Sequence, residues 1–219
     1  QLRDISVAIL AGELVAVVGP TGSGKTSLLM AILGEMRPRS GRVARATGST
    51  VALAGQEPWI CSDSLRENVL FGRPLDEARY RMALGASLLE PDLEVLPAGD
   101  GTEIGERGIN LSGGQKARVA LARCLFRREE SDICVLDDTL SAVDAHVGAA
   151  IVREALLGSL GGKTRIVVLN TFLPNVLPHA DQVIVMSEGR IEAQGTVQAC
   201  LLSSAWLRGV YSEADAAAL

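Results

Sequence analysis

Gly19-Pro20-Thr21-Gly22-Ser23-Gly24-Lys25-Thr26 is the most informative string in this chain. It matches the pattern G-x-x-x-x-G-K-[ST], in which small residues let successive backbone N–H groups turn toward a phosphate. A continuous apolar run, Leu14 to Val18, precedes the string, and an apolar, helix-compatible stretch, Ser27 to Leu33, follows it. A strand, a glycine-rich loop and a helix in this order predict a phosphate-binding loop at a helix N-terminus.

The polar side chains of this loop have expected tasks. Lys25 should neutralise the β and γ phosphates of a nucleotide, and the Thr26 hydroxyl should hold Mg²⁺. A second apolar strand, Ile133 to Leu136, ends in Asp137, a carboxylate that in such nucleotidases lies beside the loop and also holds Mg²⁺. The predicted phosphate contacts are Thr21, Gly22, Ser23, Gly24, Lys25, Thr26 and Ser27.

Short apolar runs alternate with helical patterns along the rest of the chain. Strands are predicted within 41–55, over 165–169 and over 183–186, and helices over 112–128 and 149–157. Between 60 and 110, helical stretches are punctuated by Gly and Pro, which indicates a helical insertion. The pattern predicts an α/β fold with a mostly parallel sheet covered on both faces, an antiparallel β portion and an inserted helical segment.

Length and composition limit the classes of function. With 219 residues, 47% of them apolar, the chain can bury the core of one large domain. The formal charge is -5 and no Lys/Arg-rich run suggests a groove for a polyanion, so no nucleic-acid partner is expected. No apolar run approaches the ~20 residues of a bilayer span, and because the chain opens at Gln1 without Met, an upstream segment is expected. Reduced thiols in or near the core are predicted for Cys61, Cys124, Cys134 and Cys200.

Leu111-Ser112-Gly113-Gly114-Gln115 stands directly before a basic helix with an apolar stripe. Ser112 suits a helix N-cap, and the glycines leave backbone N–H groups open to an anion. All five letters match the signature of ATP-binding cassettes, and on this string the chain resembles that family. The resemblance implies that Ser112, Gly113, Gly114 and Gln115 serve the ATP of a facing, similar domain, in a head-to-tail dimer with two composite sites.

The resemblance extends over nearly the whole chain. Gln56, in Gln56 to Ile60, resembles the family's Gln loop, whose amide reaches Mg²⁺ and senses the γ-phosphate. Ser141 to Asp144 resembles the D-loop, which crosses the dimer interface. The sequences of Ser62 to Gly72 and of Leu140 to Val147 are similar to those of the first cassette of the C subfamily. This subfamily includes the multidrug-resistance-associated pumps, a chloride channel and the sulfonylurea receptors.

This resemblance implies a P-loop NTPase (RecA-like) core in a single nucleotide-binding domain over 1–219. Residues 1–59 and 126–219 would form the ATP-binding core, and roughly 60–125 a helical subdomain that carries the signature. ATP and Mg²⁺ are the implied cofactors. The implied partners are a second nucleotide-binding domain and the transmembrane domains of a transporter, with this domain on the cytosolic face of the membrane.

Two residues depart from the family's pattern. Asp138 stands where most active cassettes have Glu, and the shorter side chain withdraws the carboxylate by about 1.5 Å, which predicts slow hydrolysis. Phe172 stands after Thr171, where the switch His is expected, and a phenyl ring cannot donate a hydrogen bond to the γ-phosphate. The two histidines, His146 and His179, are predicted to be surface or supporting residues that do not replace it.

Two functions fit this sequence. The first is the weak half of a heterodimeric ATPase motor in an exporter, where this chain holds ATP and completes the partner's catalytic site. The second is a regulatory module of a channel or receptor, where ATP acts as dimerising glue. Trp59 is expected to pack either against the membrane domains or in the core, and the aromatic that stacks on adenine is expected upstream of Leu2.

Overall fold

A six-stranded sheet forms the centre of the computed structural model, which describes residues 1–108 and 110–211. The strands, in chain order, are β1 (Leu14–Val18), β2 (Val51–Ala54), β3 (Asp63–Ser64), β4 (Glu103–Ile104), β5 (Ile133–Asp137), β6 (Thr164–Val168), β7 (Gln182–Ser187) and β8 (Arg190–Gly195). The sheet order is β2-β5-β6-β1-β7-β8, and all neighbours are parallel except β7 and β8. Strands β3 and β4 pair antiparallel as a separate small sheet.

Helices cover both faces of this sheet. They are α1 (Lys25–Leu33), α2 (Leu65–Leu70), α3 (Glu77–Ala86), α4 (Glu90–Val95), α5 (Gly113–Phe126), α6 (Ala145–Ile151), α7 (Leu173–Val176), α8 (Val197–Ser203) and α9 (Ala205–Val210). A π-helical segment, Val152–Ser159, continues α6. Helices α2 to α5 lie in the chain between β2 and β5, in the segment predicted to be a helical insertion. Within the described residues, no helix is both long enough and apolar enough to span a bilayer.

The core has two parts because successive side chains of a strand point to opposite faces of the sheet. In β1, Leu14, Ala16 and Val18 belong to the larger cluster, which includes the helices of the insertion. Val15 and Val17 face the smaller cluster, where α1 packs. All five residues of β1 are buried, as expected of a central parallel strand covered on both faces.

The predicted fold class is confirmed, while several element boundaries differ. The expected strands within 41–50 are absent from the described structure, and only Val51–Ala54 pairs, because the partner strand β5 begins at Ile133, opposite Val51. Helix α5 ends at Phe126, two residues before the predicted end. Helix α6 begins at Ala145, four residues early, because the Asp144 carboxylate accepts hydrogen bonds from the N–H groups of His146 and Val147.

The register of the central strands brings three chain segments to one edge. Val168, the last residue of β6, pairs with Val17 of β1 and with Asp137 of β5. The loops that follow β1, β5 and β6 therefore leave the sheet side by side. This edge, at the carboxyl ends of parallel strands, is where open α/β sheets bind ligands.

Candidate functional site

The loop between β1 and α1 is held in shape by backbone contacts. Gly19 has φ 146°, and a Cβ there would lie 2.2 Å from the carbonyl oxygen of Met186, so only glycine fits. The Ser23 N–H donates to the carbonyl of Pro20 (3.1 Å), and the N–H of Gly189, in the β7–β8 turn, donates to the carbonyl of Ser23 (2.8 Å). The neighbouring hairpin therefore braces the loop.

Two polar side chains are buried inside this loop. Lys25 is 6% exposed, and its ammonium donates to the carbonyls of Gly19 (2.7 Å) and Pro20 (3.0 Å). Burial lowers the pKa of Lys25, although the nearby carboxylates of Asp138 and Asp137 oppose this shift. The Ser23 hydroxyl is buried without a hydrogen-bond partner among the described residues. A buried cation and an unpaired hydroxyl at a helix N-terminus suit an anionic ligand.

Thr26 and Asp137, two of the three residues predicted to hold Mg²⁺, are brought together from distant parts of the chain. The Thr26 hydroxyl donates to the Asp137 carboxylate over 3.4 Å. Burial raises the pKa of Asp137, and the hydrogen bond from Thr26 acts against this rise. A hydroxyl and one carboxylate, completed by phosphate oxygens and water, form the ligand set that Mg²⁺ takes in nucleotide sites.

The other predicted residues of this site lie around the same edge. Gln56 is exposed just beyond β2, whose Ala54 pairs with Leu136 of β5, so Gln56 leaves the sheet beside the strand that ends in Asp137. Thr21 and Gly22 are exposed, and Ser27 is half-buried in the first turn of α1.

Asp138 has a hydrogen-bond partner that sequence reasoning missed. Its backbone adopts φ 51°, its side chain is 8% exposed, and its carboxylate accepts a hydrogen bond of 2.7 Å from the side-chain amide of Asn170. Phe172 points elsewhere, because its ring packs on α6, where a Cβ at Gly148 would lie 2.2 Å from the ring. No signal in the sequence indicates Asn170, because the family's pattern places the switch residue directly after Thr171.

The Leu111 to Gln115 string begins helix α5 as predicted. The Ser112 hydroxyl accepts from the Gln115 N–H (3.2 Å), and the Gln115 side-chain oxygen accepts from the Ser112 N–H (2.8 Å). This capping box leaves the N–H groups of Gly113 and Gly114 without partners inside the helix. A cavity of about 340 Å³ opens over them, lined by Ser112, Gly113, Gly114, Arg118, Ala142, Val143, Asp144 and Val147.

Gln115 makes a second contact, which no motif in the sequence predicts. Its side-chain N–H group donates to the Asp92 carboxylate in α4 over 2.9 Å. Arg118 donates to the same carboxylate and to the Leu88 carbonyl. Both ends of the Gln115 amide are therefore engaged within this chain.

Several expectations about single residues are settled. His146 and His179 are exposed, in agreement with the predicted surface role. Trp59 is 71% exposed, so its predicted alternative in the core is wrong. All four cysteines are free, and only Cys61 is not fully buried.

Comparisons with known proteins agree with these motifs. Residues 2–141 match the family model described as ABC transporter. The chain is 50% identical over 196 residues to "ABC-type transporter cicA" of Emericella nidulans (90% of this chain, 14% of the relative), and 47% identical over 202 residues to "ATP-binding cassette sub-family C member 2" of Homo sapiens (91% and 13%). It is 49% identical over 199 residues to "Multidrug resistance protein mrp-7" of Caenorhabditis elegans (90% and 13%).

The chain thus spans about an eighth of the length of these relatives. The match covers the phosphate loop, the Leu111 to Gln115 string and Asp137 together. Relatives at about half identity over nine tenths of the chain agree with the resemblance to the C subfamily. This chain is an ATP-binding domain that belongs to the ABC transporter family.

Proposed function

We propose that this chain binds Mg-ATP at its own phosphate loop and supplies its signature to the catalytic site of a second nucleotide-binding domain, to power export by a C-subfamily transporter. The observation that carries the proposal is the loop after β1, where the buried Lys25 ammonium and the unpaired Ser23 hydroxyl surround a helix N-terminus. The triphosphate of ATP matches this charge and these donors.

The donor set also fits the metal. Thr26 and Asp137 would hold Mg²⁺, with Gln56 approaching from the neighbouring strand end. The bound ion would neutralise charge on the phosphates. Burial disfavours the charged forms of both Lys25 and Asp137. The negative phosphates and the positive Mg²⁺ would offset this desolvation cost, because each places an opposite charge beside one of these side chains.

The signature is proposed to act on the partner's ATP. The phosphate loop and the cavity over Gly113 and Gly114 are formed by separate parts of the chain, and each presents N–H groups suited to phosphate. A head-to-tail dimer would place each cavity over the other domain's nucleotide. The D-loop residues Ala142 to Asp144 line the same cavity, in accord with a shared dimer surface. Gln115, whose amide is engaged by Ser112 and Asp92, would shape this surface without donating to the nucleotide.

Hydrolysis at this chain's own site is proposed to be slow. Asp138 is one methylene shorter than the Glu of most active cassettes, so its carboxylate stands farther from the attacking water. A displaced base orients the attacking water poorly, and an error of about 1 Å can cost roughly a hundredfold in rate. The site would then hold ATP for long periods while the partner's site turns over.

We further propose that residues 1–219 form one nucleotide-binding domain, with 1–59 and 126–219 as the ATP-binding core and about 60–125 as the helical subdomain. It would lie on the cytosolic face of a membrane protein, as the first of two cassettes. The exposed Trp59 is suited to contact the transmembrane domains, since a large apolar side chain at 71% exposure loses water on docking.

A regulatory module of a channel or receptor is the second candidate. Its supporting observation is the short Asp138 side chain at the position of the catalytic base, since a domain that holds ATP without hydrolysing it can serve as dimerising glue. Flux of labelled substrate through the full-length protein supports export, whereas ATP-gated ion current without such flux supports the regulatory function.

Binding of Mg-ATP tests the proposal directly. Lys25→Ala should weaken binding at this cassette by at least about tenfold, because the loss of a charge-assisted contact costs about 1.5–3 kcal/mol. Lys163→Ala is the matched control, since the Lys163 ammonium donates to the Ser131 carbonyl away from the loop and should leave affinity unchanged. Equal titration curves for wild type and Lys25→Ala refute the assignment of the nucleotide site.

A further inference from the structure

Asn170 leaves the sheet between the strand that leads to the phosphate loop and the strand that leads to Asp138. It follows β6, which is flanked by β1 on one side and by β5 on the other. The Leu169 N–H donates to the Val17 carbonyl (3.0 Å), and the Asp138 N–H donates to the Val168 carbonyl (3.1 Å). These two bonds extend the sheet past the ends of its strands and fix the backbone on either side of the Asn170–Asp138 contact.

The contact itself is short and direct. The Asn170 amide donates to the Asp138 carboxylate at 2.7 Å, while Asn170 remains exposed at the edge where the phosphate loop begins. The Asp138 backbone is held in the left-handed region, φ 51°, and the Ser141 hydroxyl donates to the Asp138 carbonyl at 2.8 Å. Backbone and side chain of Asp138 are thus both restrained, and the side chain is restrained by Asn170.

We propose that Asn170 is the positioning residue of this cassette's hydrolytic site: its amide N–H fixes the Asp138 carboxylate relative to the phosphate loop. Phe172 is then a packing residue, since its ring is lodged against Gly148 of α6. The inference deepens the proposed function and rests on it. The residue that orients the catalytic carboxylate is then Asn170, just after β6, and not position 172, where the sequence predicts the switch residue.

The experiment uses the full-length transporter. A photoreactive ATP binds to this cassette and labels it. The cassette is released by proteolysis, and the conversion of its bound ATP to ADP in a single turnover is measured. All variants keep Asp138, and the single turnover is followed for long enough to time slow conversion. Asn170→Leu removes the donor at similar volume, Asn170→His keeps a donor, and Asn175→Ala controls for loss of an asparagine nearby.

Asn170→Leu should slow conversion by roughly ten- to a hundredfold while ATP affinity stays within about twofold, because positioning and not binding is lost. Asn170→His should restore the rate, and Phe172→His should not raise it. In structures of the same full-length variants without nucleotide, the Asp138 side chain should leave its rotamer in Asn170→Leu and keep it in Asn170→His.

The proposal is overturned by any of four results: wild-type conversion in Asn170→Leu, an undisturbed Asp138, a rate increase from Phe172→His, or no measurable conversion in the wild type. A failure of the proposed function is distinguished from a failure of this proposal by a separate measurement. In that case, Lys25→Ala does not weaken ATP binding.

Discussion

The side-chain amide of Gln115 donates a 2.9 Å hydrogen bond to the carboxylate of Asp92, and so joins the start of α5 to the first turn of α4. The same carboxylate forms an ion pair with Arg118, in which both side chains are mostly buried. The N-terminus of the signature helix is therefore held by another helix of the insertion. The orientation of α5 therefore depends on α4.

Asp92→Ala should reduce ATP hydrolysis by the full-length protein by about tenfold, because Gln115 and Arg118 lose their common acceptor and the cavity over Gly113 changes shape. Binding at this chain's phosphate loop should be unaffected. Asp92→Asn, which keeps one acceptor oxygen, should retain an intermediate rate. Glu94→Ala, at an exposed position of α4, is the control and should behave as wild type. A loss of ATP binding in Asp92→Ala contradicts the separation of the two surfaces.

Gly19→Ala should destabilise the domain by about 3 kcal/mol, because its Cβ would lie 2.2 Å from the Met186 carbonyl oxygen at a positive φ. Gly22 is the matched control in the same loop. It also has a positive φ, 80°, but a Cβ there meets nothing within 4 Å, so Gly22→Ala should cost only about 1–2 kcal/mol of backbone strain. Urea unfolding of both variants measures the difference. Equal losses would show that the contact with Met186 does not shape the loop.

Asp137→Asn should raise the Tm of the nucleotide-free domain at neutral pH while abolishing the Mg²⁺ dependence of ATP binding. Burial raises the pKa of Asp137 in the fold, so its contribution to stability is fully present below the usual carboxyl range and is lost as pH rises through the raised pKa. Replacing it with Asn should flatten that part of the pH dependence of Tm.

Asp132→Asn is the contrasting control. Hydrogen bonds from Thr50 lower the pKa of the Asp132 carboxyl, so the same change there should not stabilise the domain. Thermal melts from pH 4 to pH 8 compare the two variants with wild type. A lower Tm for Asp137→Asn throughout this range would contradict the argument.

Gly113→Asp should leave ATP binding by the isolated domain within about twofold of wild type, since Lys25, Thr26 and Asp137 are untouched. Hydrolysis by the full-length protein should fall by roughly a hundred- to a thousandfold, because a carboxylate at the start of α5 repels phosphate and blocks a preorganised N–H donor. Ser112→Arg should act in the same direction by filling the cavity. Loss of binding in a folded, isolated variant would mean that the signature acts within its own chain.

Much of the site was predictable because its motifs are local. In Gly19 to Thr26, the small residues, the lysine and the flanking strand and helix are neighbours in the chain, and their conformations follow from short-range sterics and backbone hydrogen bonds. The meeting of Thr26 with Asp137 was also predictable, because parallel strands bring their carboxyl ends to one edge. The strands expected within 41–50 failed for the opposite reason, since pairing depends on a neighbouring strand and not on the segment itself.

The sequence by itself thus determined the phosphate loop, the capped start of the signature helix and the order of strands and helices. Only the tertiary structure decided which side chains fix the functional ones: Asn170 reaches Asp138 from 32 residues away, and Gln115 reaches Asp92 from 23 residues away. Such contacts depend on strand register and helix packing to within an ångström. The spacing of residues along the chain does not determine these side-chain distances. The connecting loops can place the same residue one or two positions further along the edge of the sheet.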